Sequence, residues 1–259
     1  MPRVGDRYWV GCAYLLEGRP HTLLQPEATA LRLGYTLTAN VLIGTGLAGW
    51  FLRRLSRAGV VTPSAAGFSR GGHAVAASGV GAGLGLMLYG LQGPPTWHPL
   101  VLLNGVAQVW PVSVAEVLVC WAVVGVVCEA RLRARGAPAA TVMASVAASA
   151  LFGGYHVAHS PPFNTLPMVL VLSAVGLATS LFFLLSCDLY GTVVFHTWLA
   201  LFGVLRALRE AGALQAYERL SAPLLATALV SLGLLIAVHW VWLMPAPPEG
   251  PHRPERRKS

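Results

Sequence analysis

Apolar and polar positions along this chain segregate into long blocks. Seven apolar runs, 35–52, 73–91, 100–127, 139–157, 165–185, 190–205 and 222–243, reach or approach the ~20 residues that a membrane-crossing helix needs. The third contains Pro111, where a break in the helix is expected. Short alternating segments of the kind that build a membrane β-barrel do not occur. The pattern therefore predicts an all-α fold, a polytopic transmembrane helical bundle of about seven spans. Residues 1–34 mix charges with short apolar pieces and predict an N-terminal interfacial segment. Residues 35–243 predict the bundle, and the proline-rich, basic stretch 244–259 predicts a disordered tail near anionic headgroups.

Composition sharpens this. With 55% hydrophobic and only 11% charged residues, the chain is too apolar for a soluble domain of 259 residues. Its net charge of +8 is explained by placement. Arg53, Arg54, Arg57 and Arg70 follow the first run, Arg131, Arg133 and Arg135 follow the third, and Arg253, Arg256, Arg257 and Lys258 follow the last. Seven spans put these clusters on one side, which the positive-inside rule makes cytoplasmic, with the N-terminus outside. The basic excess thus points to a lipid bilayer and to no nucleic-acid partner. No positive n-region with a following cleavable apolar stretch opens the chain, so insertion is expected to rely on the first span.

Several features read as packing. Gly79, Gly81, Gly83 and Gly85 place small residues four apart twice, which lets helix backbones approach. Trp97 with His98, and His239 with Trp240 and Trp242, sit near span ends as an aromatic belt would. Residues 206–220 read equally as an amphipathic interfacial helix or as a polar loop. Cys12, Cys120, Cys128 and Cys187 lack metal spacing.

Three ionisable residues interrupt the apolar runs: Glu116, His156 and His196. Such groups are costly at membrane depth and usually face a protein interior or a wet cavity, so they predict a buried polar site. Glu116 lies twenty residues before Gly136 and His156 twenty residues after it. Two helical arms around that glycine bring both to similar depth, ~30 Å from the turn. Glu129, seven residues before Gly136, belongs near the opposite face. His196 follows the link 187–191 closely, so it joins the other two only if that link dips into the bundle.

Phe152-xxx-His156, followed on a later helix by Tyr190-Gly-Thr-Val-Val-Phe-His196, resembles the CPBP family of membrane-embedded CAAX prenyl endopeptidases and bacteriocin-processing enzymes. The resemblance covers 111–205. The family pattern is EExxxR, then FxxxH, then HxxxN. Here Ala115-Glu116 stands at the glutamate pair, Cys120 at the arginine and Ala200 at the asparagine. The resemblance implies an endopeptidase that cuts a membrane-anchored protein or peptide. Glu116 and His156 would activate a water, and His196 would stabilise the oxyanion. Asn164 is a candidate replacement for the missing donor, against a simple loop-capping role. No cofactor is expected and a metal is left open. The resemblance and the Ala, Gly and Arg bias imply a bacterial cytoplasmic membrane. The departures favour a second reading, a catalytically inactive CPBP-like scaffold or immunity protein. A third is bis-histidine haem ligation by His156 and His196.

Overall fold

A computed structural model describes residues 3–243, and all its described elements are helical. The tail expected to be disordered, 244–259, lies outside the described residues. Helix α1 (Arg3–Ala13) continues into a π-turn at Tyr14–Gly18. The rest are α2 (29–57), α3 (Gly71–Leu91), α4 (Pro99–Arg135), α5 (Ala137–Ala158), α6 (Leu166–Ser186), α7 (Leu189–Glu210) and α8 (Ala222–Leu243). The last six are each long and apolar enough to cross a membrane. Large apolar side chains such as Leu185, Leu91, Val75, Leu166 and Leu229 point outward, as lipid-facing positions do.

The first predicted span, 35–52, lies within α2, which at 1.5 Å per residue is about 43 Å long. It stands apart from the apolar six because it turns polar residues inward. Tyr35, Thr36, Asn40 and Thr45 are all buried.

Helix α4 is the hub: 72% of its apolar window is buried, against 22% for α3. The break expected at Pro111 does not occur, and α4 runs through it for 37 residues. Proline forfeits one backbone hydrogen bond, which a helix tolerates where neighbouring helices surround it, and Pro111 is buried. Immediately after Glu116 the backbone pairing becomes π-type, over Val117–Gly125.

The glycine string of α3 works at alternate positions. A Cβ on Gly81 would come within 2.5 Å of the Gly191 carbonyl, and one on Gly85 within 2.5 Å of Trp198, so these two let α3 lie against α7. Gly79 and Gly83 face open space and have no such role, because positions two apart on a helix point to different sides. Residues 206–210 complete α7, and only Leu214–Tyr217 forms a 3-10 turn beyond it. Within the supposed aromatic belt, His239 is buried and paired with the Tyr190 hydroxyl at 2.9 Å, whereas Trp240 is exposed.

The link between α6 and α7 does enter the bundle. Cys187 takes a left-handed conformation, and Asp188 and Leu189 are fully buried. Asp188 caps α7 through the Gly191 N–H at 2.6 Å and accepts from Ser69. Segment 58–70 closes over this link, and the Leu189 N–H donates to the Gly67 carbonyl at 2.7 Å. Gly67 has φ +83, and a Cβ there would lie 2.8 Å from the Leu189 nitrogen, so glycine alone suits the contact. His196, seven residues into α7, consequently starts from a buried point rather than from the surface.

Candidate functional site

Glu116, His156 and His196 meet at the end of the bundle that carries the 159–165 loop. All three are buried and line one cavity of about 480 Å³. Glu116 is held between the two rings: Oε2 lies 3.0 Å from His196 Nε2, and Oε1 lies 3.7 Å from His156 Nε2. Phe152 and Trp121 wall the rings in, with Phe152 edge-on to both histidines.

Local sequence sets His156. Gly153-Gly154 lets α5 tighten into a 3-10 turn at His156–Ala158. A side chain at Gly153 would strike Ser173 at 2.0 Å, so α6 packs directly on that backbone. The tightened turn redirects the His156 N–H to Gly153, and the Phe152 carbonyl accepts from the His156 ring instead, at 2.7 Å. A carbonyl only accepts, so His156 Nδ1 carries a proton. In the neutral ring, Nε2 then turns a bare lone pair toward Glu116 and the cavity.

His196 is set by its neighbours. The Thr179 hydroxyl lies 3.1 Å from the Val175 carbonyl and 3.0 Å from His196 Nδ1. A hydroxyl donates or accepts, so this contact fits either tautomer of the ring. The 3.0 Å contact between His196 Nε2 and Glu116 Oε2 holds one proton between them, carried by the ring nitrogen or by the carboxyl. Both His196 nitrogens are engaged, which leaves no ring lone pair for a haem iron. Among the described residues, no group of three or more His, Cys, Asp or Glu is disposed to hold a metal ion.

The other sequence-derived positions sort clearly. Ala115 is buried on a neighbouring face of α4, where a Cβ on Gly44 would lie 2.3 Å from its own, so helix packing occupies that position. Ala200 lines the cavity one turn beyond His196. Asn164 is not among the cavity-lining residues. Glu129 lies away from the site and accepts from Thr141 at 3.3 Å.

Sequence reasoning missed a second acid–histidine pair in the same cavity. Glu17, from the segment expected at the interface, is buried 3.2 Å from His159 Nδ1 and accepts from the Ser160 N–H at 2.9 Å. Ser160 Oγ donates back to the Glu17 carbonyl at 3.1 Å. Burial opposes ionisation of Glu17, but His159 and Ser160 outweigh it and hold the carboxyl below its ordinary range. The His159 ring stacks on His156 with centroids 4.8 Å apart, and its Nε2 has no hydrogen-bond partner among the described residues. Trp9 stacks on Tyr155 at 4.0 Å, and the Tyr155 and Tyr35 hydroxyls are 3.1 Å apart. The available signal was the spacing of His156 and His159, three apart and so neighbours on one helical turn.

Compared with known proteins, the chain matches no protein-family model, no curated protein and no solved structure.

Proposed function

We propose that this chain is an intramembrane endopeptidase of CPBP type, which cuts a peptide bond of a membrane-anchored protein or peptide. The observation that carries the reading is Glu116 held between two histidines, in a buried cavity among apolar helices. Hydrolysis in such a place needs a base, a water and a stabiliser for developing charge, shielded from bulk solvent. A separation of 3.7 Å between two acceptors admits one water about 2.8 Å from each. That water donates to Glu116 Oε1 and to the bare Nε2 of His156, with its oxygen free toward the cavity. On attack at the peptide carbonyl carbon, its proton passes to Glu116 or His156. The same proton then leaves with the amine as the C–N bond breaks.

His196 acts through Glu116 in this scheme. Both its nitrogens are occupied, so it serves as a positioning residue that holds the Glu116 carboxyl in place rather than as the oxyanion donor the resemblance implies. The oxyanion then needs another donor. Tyr35, whose hydroxyl can donate, lines the same cavity, and so does His159, whose Nε2 donates when the ring is the imidazolium paired with Glu17.

The apolar wall contributed by α6 and α7, which includes Val171, Leu172, Val175, Leu199 and Val204, suits a substrate arriving from lipid. The membrane we assign is the bacterial cytoplasmic one. Arginines at the Gly136 end set that end inside and the site toward the outer face. An inactive scaffold or immunity protein is the second reading, favoured by Ala200, which brings no donor to the cavity wall.

The test is a comparison of new protein termini in membranes of cells expressing wild type, Glu116→Gln, His156→Ala or Glu129→Gln. Termini present with wild type and Glu129→Gln but lost with the other two support the protease. Identical profiles for all four leave the scaffold reading in its place.

A further inference from the structure

The cavity has a second polar end. Arg32, on the first turn of α2, is nine-tenths buried and lines the same cavity as Glu116. Its guanidinium donates to Gln108 Oε1, to the Tyr217 hydroxyl and, at 3.5 Å, to the Pro26 carbonyl. Tyr217 also donates to Gln108 and lies under the guanidinium, with its ring centroid 5.5 Å from Cζ. All these partners are neutral. Burial keeps the Tyr217 phenol above its ordinary value although Arg32 opposes this, so it supplies no negative charge.

Among the described residues no carboxylate pairs with Arg32. The acids sharing the cavity are committed elsewhere: Glu17 to His159 and Ser160, Glu116 to its histidines, and Glu210 to Arg206 at 2.9 Å. Removing a cation from water without a counter-charge is costly. An uncompensated guanidinium in the wall of a cavity is therefore a site built for an anion, and its planar fork matches a carboxylate.

The distance to the proposed scissile centre can be read along α4. Gln108, Val112 and Glu116 follow one another at four-residue steps and all line the cavity. Eight residues of helix span about 12 Å. An extended peptide covers that length in about three to four residues.

We propose that Arg32, with Gln108 and Tyr217, forms a carboxylate-binding subsite that anchors an acidic group of the peptide substrate about 12 Å from Glu116. The identity of the ligand as a substrate rests on the protease reading; the subsite itself does not.

The test uses full-length protein in non-ionic detergent and two probes, N-dodecanoyl-Leu-Ala-Val with a free carboxylate and the same peptide as its carboxamide. Wild type should bind the acid about 10- to 100-fold more tightly than the amide, the range of a charged hydrogen bond. Arg32→Gln should abolish the preference, acid and amide then binding alike, and Arg32→Lys should keep part of it. Glu116→Gln should retain the full preference. Its loss of cleavage is measured separately, so the subsite and the protease reading stand or fall apart from each other. Equal binding of acid and amide by wild type overturns the subsite, and this comparison needs no variant to fold. If dodecyl phosphate binds in an Arg32-dependent way and the peptides do not discriminate, the site is one for a lipid headgroup, and the peptide assignment is wrong.

Discussion

Glu116 Oε2 and His196 Nε2 are hydrogen-bonded across 3.0 Å, and Thr179 holds the far side of the imidazole, its hydroxyl 3.0 Å from Nδ1. The same hydroxyl reaches the Val175 carbonyl at 3.1 Å, one turn back on its own helix. The ring is thus oriented from α6, the carboxylate stands on α4 and the ring itself on α7.

Replacing that threonine should loosen the arrangement without touching the cavity. Thr179→Val removes the hydroxyl but keeps the shape, so His196 loses the contact that orients its ring. Proteolytic turnover should fall by about tenfold or more, within the usual range for general acid–base assistance, and its pH profile should shift. Thr179→Ser should restore both. A Thr179→Val enzyme with unchanged rate and profile would remove His196 from the positioning role.

The Glu17 anchor makes a pH-dependent prediction. The folded-state pKa of Glu17 is depressed from a usual value of 4.5. The anchor's contribution is therefore complete above about pH 4.5 and is lost as pH falls through the lower folded value. Hydrogen exchange at the Ser160 amide, corrected for its intrinsic rate, should rise over that window. Glu17→Gln should make it fast at neutral pH and cost about 1.5–3 kcal/mol, the scale of a hydrogen bond to a charged group. Slow, pH-independent exchange in wild type would show that the carboxylate does not hold the loop.

Helix packing between α3 and α7 should discriminate among glycines that look alike in sequence. Gly81→Val and Gly85→Val meet the Gly191 backbone and Trp198, and overpacking of this kind costs about 1–3 kcal/mol. Gly79→Val and Gly83→Val enter open space and should be tolerated. Thermal unfolding in detergent distinguishes the pairs, and equal effects at all four would contradict the observed helix rotation.

Orientation is tested by labelling. With Cys12, Cys120, Cys128 and Cys187 all replaced by serine, a single cysteine at Arg3 should react with an impermeant maleimide in intact cells, and one at Ser259 should be protected. The opposite pattern reverses the assignment and moves the cavity to the cytoplasmic side.

The apolar runs alone determined that this is an all-α membrane bundle, because lipid demands helices of a certain length and composition whatever their partners. Counting from Gly136 also placed Glu116 and His156 at one depth, since rise per residue is a local property. Other features depended on partners far along the chain. Whether Pro111 would break α4 was decided by the neighbours that bury it. The burial of link 187–191 was decided by segment 58–70 with its glycine at position 67. Glu17 and Arg32 escaped notice because each lies outside or at the edge of an apolar run, where charges are ordinarily solvated. Only the packing of α1 and α2 onto α4 and α5 removed that solvent, and with it turned two unremarkable charged residues into part of the cavity.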